Sequence, residues 1–500
     1  MSDTPGLRAS LDDPDAVADY ASDALDRGDE DIAIPVVLAA AERHRRPILW
    51  HWLGLLQRSV DEHEDALASF ERAAALAPNG PRIAHARAHA AMEAGLPAVA
   101  LFERALQLAP NDPGVVLGLA AARHAAGQGE EAAAFLANIL DQAPMWTFGH
   151  EQLAQFQCTL GHPDRATDSI ERALLRQPAA RELWETLLYV ELKRGAYAAI
   201  RPILDRASAA GVQSSEFAVF EAIHAAEFAG ESCPAALFDD APRGRDADLD
   251  RWRIRHLLRV GAPDAAIKFV DRALQQASSA EIWAYAATTW RMAGDPRSEW
   301  LEGDPRLVSV MDLTSSLPPL DELAETLRGL HLARGEYLDQ SVRGGTQTDG
   351  PLLSRIDPTI RHLRRAIVEA VERHVAQLPA IDPKHPLLRE QRDRRVRFSG
   401  SWSVRLGPHG HHSNHVHPQG WISSALYVSL PPRAPGEAED AGWLTLGKPD
   451  DKLQLDLPPF RKIEPKPAQL VLFPSWMWHG TVPFEQGERL TVAFDVRPPL

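Results

Sequence analysis

Five hundred residues with 45% apolar and 24% charged side chains suffice for two or more globular domains with real cores. The net charge of −16 sits almost wholly in residues 1–300, with 29 Lys+Arg against 44 Asp+Glu, which argues against nucleic acid as a partner. Two cysteines, Cys158 and Cys233, give neither a disulfide framework nor a cysteine-based metal site, and no uninterrupted run of 18 apolar residues suggests a membrane span. The opening Met-Ser-Asp-Thr-Pro lacks the basic and apolar regions of a secretion signal, so the expected location is cytoplasmic.

Residues 1–30 form an acidic segment with a short helix expected near Asp15–Leu25. Residues 31–300 are Ala/Leu-rich with a helical period, and they repeat. Gly95, Gly127, Gly161 and Gly195 recur at intervals of 32, 34 and 34, and so do Pro78, Pro110, Pro144 and Pro178. A helix that ends on Gly in the left-handed conformation is followed by a second helix, which stops before Pro because Pro lacks the amide donor. Small residues such as Ala105 and Ala173 let neighbouring helices approach. This pattern resembles the tetratricopeptide repeat, a helix–turn–helix unit that stacks into a solenoid with a concave groove. The array frays over Glu231–Asp250.

Around Asp295–Leu313 the helical rhythm stops and a turn leads into a short strand, so residues 301–500 form a second domain. Helices are expected over Leu320–Arg334 and Asp357–Ala376, separated by a polar Gly-rich segment at Gln340–Gly350. From residue 396 the period becomes two. Strands are expected at Val396–Leu406, Ile422–Leu430, Gly442–Leu446, Ala468–Phe473, Gly480–Phe484 and Leu490–Val496. Helices followed by many short strands suit a double-stranded β-helix, or jelly roll, backed by helices.

Three histidines and one arginine stand out here. His415 and His417 are one residue apart on an extended segment and therefore point to one side. His479 follows 62 residues later, and Arg489 ten residues beyond it. Imidazoles suit iron, zinc, copper and nickel, and three of them leave coordination positions open. The spacing resembles the Fe(II)/2-oxoglutarate dioxygenases, in particular their prolyl-hydroxylase-like branch. Those enzymes place His-x-acid on one strand, a distal His, and a basic residue about ten positions on. This chain departs by carrying His417 where the acid belongs.

The resemblance implies that His415, His417 and His479 bind Fe(II), and that Arg489 holds the far carboxylate of 2-oxoglutarate. Thr491, on the same strand face, becomes a supporting hydrogen-bond candidate. It further implies oxidative decarboxylation of 2-oxoglutarate by O₂ coupled to hydroxylation of a protein or peptide substrate, recruited through the repeat groove. Two other readings stay open: a non-catalytic metal-binding scaffold, and a zinc-dependent hydrolase. His409, His411 and His412 are expected to be solvated in a Gly-flanked loop. Trp476 and Trp478 line a substrate entrance or pack at the barrel edge. Arg392, Arg394, Arg395 and Arg397 form a solvated strand edge or touch substrate. Arg343 and Gln347 shape a turn or meet substrate.

Overall fold

The glycine–proline rhythm becomes a series of antiparallel helix pairs. The computed structural model describes residues 13–228, 230, 235–238, 246–276, 279–338 and 340–499, so Cys233 and most of the fraying stretch at 231–245 lie outside the described residues. Pro81–Glu93 pairs with Val99–Leu108, and Pro113–Ala125 is followed by Gly129–Gln142. The four periodic glycines have φ between 67° and 87°, so each takes the left-handed turn that a side chain resists. The turn closes with the Leu96 amide donating to Ala91 O and the Gln128 amide to Arg123 O, both at 2.9 Å. The second helices end at Leu76, Leu108, Gln142 and Arg176, each two residues before a periodic proline. Ala105 and Ala173 are buried, as close approach requires.

The chain divides into two compact units. One contains residues up to Leu136 together with Asp349–Arg365; the other contains Ala137–Thr348 and Ala366–Pro498. In the first, the start of the long helix Pro358–Gln377 and the segment before it are stitched to the early repeats. Ile356 donates to Ala94 O at 3.1 Å, and Arg361 pairs with Glu64 at 2.7 Å.

In the second unit the later repeats pack with the strands. The strands are β1 (Ser309–Asp312), β2 (Val342–Gln347), β3 (Phe398–His412), β4 (Ile422–Ser429), β5 (Leu444–Leu446), β6 (Arg461–Ile463), β7 (Gln469–Pro474), β8 (His479–Thr481) and β9 (Arg489–Val496). They form a six-stranded antiparallel sheet, β1-β7-β4-β9-β3-β2, and a three-stranded sheet, β6-β5-β8. Tyr427, Val471 and Phe473 of the large sheet pack on Leu444, Leu446 and Ile463 of the small one. A tetratricopeptide-like helical solenoid thus precedes a jelly roll backed by helices.

Two local expectations change. The strand expected to stop at Leu406 runs on to His412, because the Gly-rich segment is itself strand β2 and lies alongside, with Val342 opposite His412 and Arg343 opposite His411. His409, His411 and His412 therefore lie on β3 rather than in a loop, with His409 exposed at a φ of 62°.

Trp476 and Trp478 are core residues. Trp478 donates to Thr288 Oγ1 at 2.9 Å and stands edge-on to Tyr285, both on the repeat helix Ala280–Ala293, and Trp476 stands edge-on to His385. The residue next to His479 is thereby anchored on a repeat helix. Trp478→Phe keeps an aromatic ring, though a smaller one, and leaves Thr288 Oγ1 without its indole donor. It should lower stability by about 1–2 kcal/mol in urea unfolding.

Acid should weaken this unit as well. His374 is fully buried, with Ser309 Oγ at 2.7 Å from Nδ1, and burial pushes its pKa down to about 4. His331 is also held at about 4, by burial first and then by the Arg405 charge. The unfolded chain takes up these protons first as pH falls below the ordinary 6.5, so stability is full above that value. It should decline progressively toward pH 4, by on the order of 3 kcal/mol for each of the two, as thermal unfolding across this window would show.

Candidate metal and co-substrate site

Backbone pairing brings the distant histidines together. The His415 amide donates to His479 O and the His479 amide to His415 O, both at 3.0 Å, so the segment before β4 is laced to β8. The His417 amide donates to Ser475 O, also at 3.0 Å. The alternation that puts residues 415 and 417 on one side then presents both rings to His479. Ring centroids lie 4.1 Å apart for His415 and His479, 4.9 Å for His415 and His417, and 5.0 Å for His417 and His479. One ring nitrogen from each falls within 4.8 Å of the others.

The other nitrogen of each ring is engaged. His415 Nδ1 lies 2.8 Å from Ser413 O, His479 Nδ1 3.0 Å from Met477 O, and His417 Nδ1 2.5 Å from Asp495 Oδ2. A carbonyl or carboxylate there can only accept, so each ring carries a proton on Nδ1 and turns Nε2 toward the cluster. Burial, reinforced by the neighbouring imidazoles, holds the pKa values of His415 and His479 well below 6.5 and favours these neutral forms.

These residues fit a divalent ion. His415 Nε2 and His417 Nε2 are 3.0 Å apart, a separation that a shared proton allows and that an ion bound by both nitrogens also allows. Two nitrogens at about 2.1 Å from one ion, meeting near a right angle, are separated by about that distance.

Strand β9 supplies the rest of the site. Alternation places Arg489, Thr491, Ala493 and Asp495 on one face. Arg489 is 3% exposed. Its Nη1 donates to Gly442 O at 2.9 Å, its guanidinium lies 4.9 Å from the Tyr427 ring centroid, and Nε has no hydrogen-bond partner. No carboxylate of the described residues pairs with it, and burial lowers its pKa. A buried cation without an anion is costly, and an incoming carboxylate would satisfy it. Thr491 is buried opposite Tyr427 in the register, beside this guanidinium.

Several neighbours were not legible beforehand. Asp495 accepts from Ser423 Oγ at 2.6 Å on its second oxygen, and Trp402 stacks on His417 with centroids 5.5 Å apart. Ser341 Oγ stands 3.1 Å from both His415 Nε2 and His412 Nδ1. His412 stacks on His415, and burial together with the Arg489 charge takes its pKa down to about 3. His412 is therefore part of the surround of the cluster and not a solvated side chain. Arg343 turns to its own backbone, donating to Gln340 O and Val342 O at 2.7 Å, and Gln347 Oε1 is buried without a partner. Arg394 and Arg395 are exposed, and Arg392 donates to Leu378 O at 3.1 Å.

The jelly roll thus holds a histidine cluster that could bind a metal, and on strand β9 a buried arginine that pairs with no carboxylate of the described residues. Residues 400–495 match the family model described as "Putative 2OG-Fe(II) oxygenase", and residues 19–81 and 97–147 match two tetratricopeptide-repeat models. The chain is thus similar to tetratricopeptide-repeat proteins in its first part and to that oxygenase family in its last. No curated protein matches.

Among solved structures, the repeats are similar to YrrB, a TPR protein with an unusual peptide-binding site, at 15% identity. That match covers 36% of this chain and 93% of YrrB, with a TM-score of 0.29. MamA from Desulfovibrio magneticus RS-1 also matches at 15% identity and a TM-score of 0.29, over 33% of this chain and 96% of its own. A thermophilic TPR protein from Thermus thermophilus matches at 17% identity and a TM-score of 0.27, over 34% and 94%. Among the described residues, no helix is long and apolar enough to cross a membrane.

Proposed function

We propose that this chain is an Fe(II)- and 2-oxoglutarate-dependent oxygenase of the cytoplasm. Residues 301–500 form its catalytic domain, and the repeats of residues 31–300 recruit the protein or peptide that it hydroxylates. The observation that carries the reading is the placement on one face of β9 of both Asp495, bonded to His417, and the buried Arg489 without an anion. A metal position and an anion position then share one strand.

In this reading His415, His417 and His479 hold the metal through Nε2. Arg489 binds the C5 carboxylate of 2-oxoglutarate through its free donors, with Tyr427 and Thr491 at its side. Fe(II), when bound, supplies the redox chemistry by which O₂ and 2-oxoglutarate become succinate, CO₂ and an oxidised substrate. The protein's share is to keep His415 and His479 neutral, orient all three imidazoles, and bury the dicarboxylate away from water. A groove built from repeats suits an extended peptide better than a small molecule, which is why a polypeptide substrate is favoured.

The test is direct. Protein loaded with Fe(II) without oxygen should bind 2-oxoglutarate, then form succinate on admission of O₂, with a +16 Da product among captured proteins. No Fe(II) binding and no 2-oxoglutarate turnover with any peptide pool would overturn the reading. A zinc hydrolase would act without oxygen and give Arg489 no role. A non-catalytic scaffold would bind metal yet form no succinate.

A further inference from the structure

The position where a carboxylate ligand is expected holds His417, yet a carboxylate is present one contact further out. Asp495 Oδ2 lies 2.5 Å from His417 Nδ1, with the two side chains only 11% and 15% exposed. Asp495 is itself held, because its other oxygen accepts from Ser423 Oγ at 2.6 Å and that hydroxyl meets Ser475 Oγ at 2.9 Å. The His417 ring is further held by the stack of Trp402, and its backbone by the amide hydrogen bond to Ser475 O. Neither His415 nor His479 has such a partner; their Nδ1 atoms face neutral carbonyls. One ligand of the three is therefore different in kind.

We propose that Asp495 is the positioning residue that replaces the missing carboxylate ligand, giving His417 part of its negative charge through the Nδ1 hydrogen bond. An imidazole whose N–H is given to a carboxylate is a stronger donor at Nε2 than one bonded to a carbonyl. The charge that a His-x-acid motif places on the metal is here delivered through the ring. The inference rests on the three-histidine reading, and it assigns Asp495, Ser423 and Ser475 to a purpose that packing alone does not require. A buried carboxylate near the end of an otherwise largely apolar strand, Leu-Thr-Val-Ala-Phe-Asp-Val, costs desolvation unless a partner uses the charge.

Asp495→Asn keeps the shape and an acceptor oxygen but removes the charge. With Co(II) as the probe in oxygen-free solution, this variant of the full chain should bind 10- to 100-fold more weakly than the parent. Its Co(II) absorption should move to longer wavelength, as a weaker donor requires, whereas the unfolding midpoint without metal should stay close to the parent's. Co(II) affinity within threefold and an unchanged spectrum in a folded Asp495→Asn protein would overturn the proposal and leave the three-histidine reading intact. Absence of Co(II) binding by the parent would instead remove that reading itself. Should Asp495→Asn fail to fold, Ser423→Ala decides. Loss of one hydrogen bond to the carboxylate should weaken Co(II) binding about 2- to 10-fold, and no change would count against Asp495.

Discussion

His479→Ala should leave the protein folded but unable to retain a metal, with succinate formation reduced at least a thousandfold. Intact metal sites contribute about 10–16 kcal/mol in apparent binding, so one ligand among several is worth roughly 3 kcal/mol. That corresponds to about a hundredfold in affinity before any loss of reactivity. The backbone pair between residues 415 and 479 does not depend on the imidazole, so the lacing of β8 to the neighbouring segment should survive. The vacated volume beside Phe473, whose ring centroid is 4.6 Å from that of His479, should cost about 1–2 kcal/mol of stability. His417→Ala makes an instructive contrast, because it also strands the Asp495 carboxylate. It should lose metal equally and lose about 1–3 kcal/mol more stability than His479→Ala. Metal content by elemental analysis together with urea unfolding separates the two effects. Retention of stoichiometric metal by His479→Ala would remove this residue from the site.

How far the sequence revealed this arrangement depended on whether the signal was local. The solenoid was legible because its determinants repeat: a glycine that must turn left-handed and a proline that must end a helix recur every 32 to 34 residues. The barrel strands were legible from their period of two, and His415, His417, His479 and Arg489 from spacing and resemblance. What escaped was non-local. Nothing near Trp478 announces that its indole is bonded to Thr288, nor that repeats beyond Ala137 form one compact unit with the sheets. Strand β2 was missed because Val-Arg-Gly-Gly-Thr-Gln is a poor strand by composition and is held extended by pairing with β3. Tyr427 is one such non-local neighbour, since the pairing of β4 with β9 sets it across from Thr491 on the same face of the sheet. Asp495 was within reach, because an acid inside an apolar strand is itself a signal. Reading each strand face for its one misplaced polar residue would have found it.

Arg489→Met should abolish measurable 2-oxoglutarate binding at ordinary concentrations while sparing the metal. Removing one partner from a buried charge-assisted contact costs about 2–5 kcal/mol, roughly 30-fold to several thousandfold in affinity. Arg489→Lys should recover little, because an ammonium cannot keep the bond to Gly442 O and also offer a planar pair of donors. Tyr427→Phe should cost only about 2- to 10-fold, the value of a single neutral hydrogen bond. In the metal-loaded parent, 2-oxoglutarate at a hundred times its Kd should add about 2.7 kcal/mol of stability; the Arg489→Met protein should gain none.

The sign without co-substrate is more telling. Trimming a buried side chain ordinarily destabilises, but Arg489 is a desolvated cation with an unpartnered Nε and no anion among the described residues. Replacing it with an apolar chain of similar length should leave the unliganded fold as stable as the parent or slightly more so. On the proposed function, the carboxylate that Arg489 binds offsets the cost of keeping such a cation buried. An Arg489→Met variant that unfolds far more easily than the parent, and still turns over 2-oxoglutarate, would show the guanidinium to be a structural element and not the anchor of a dicarboxylate.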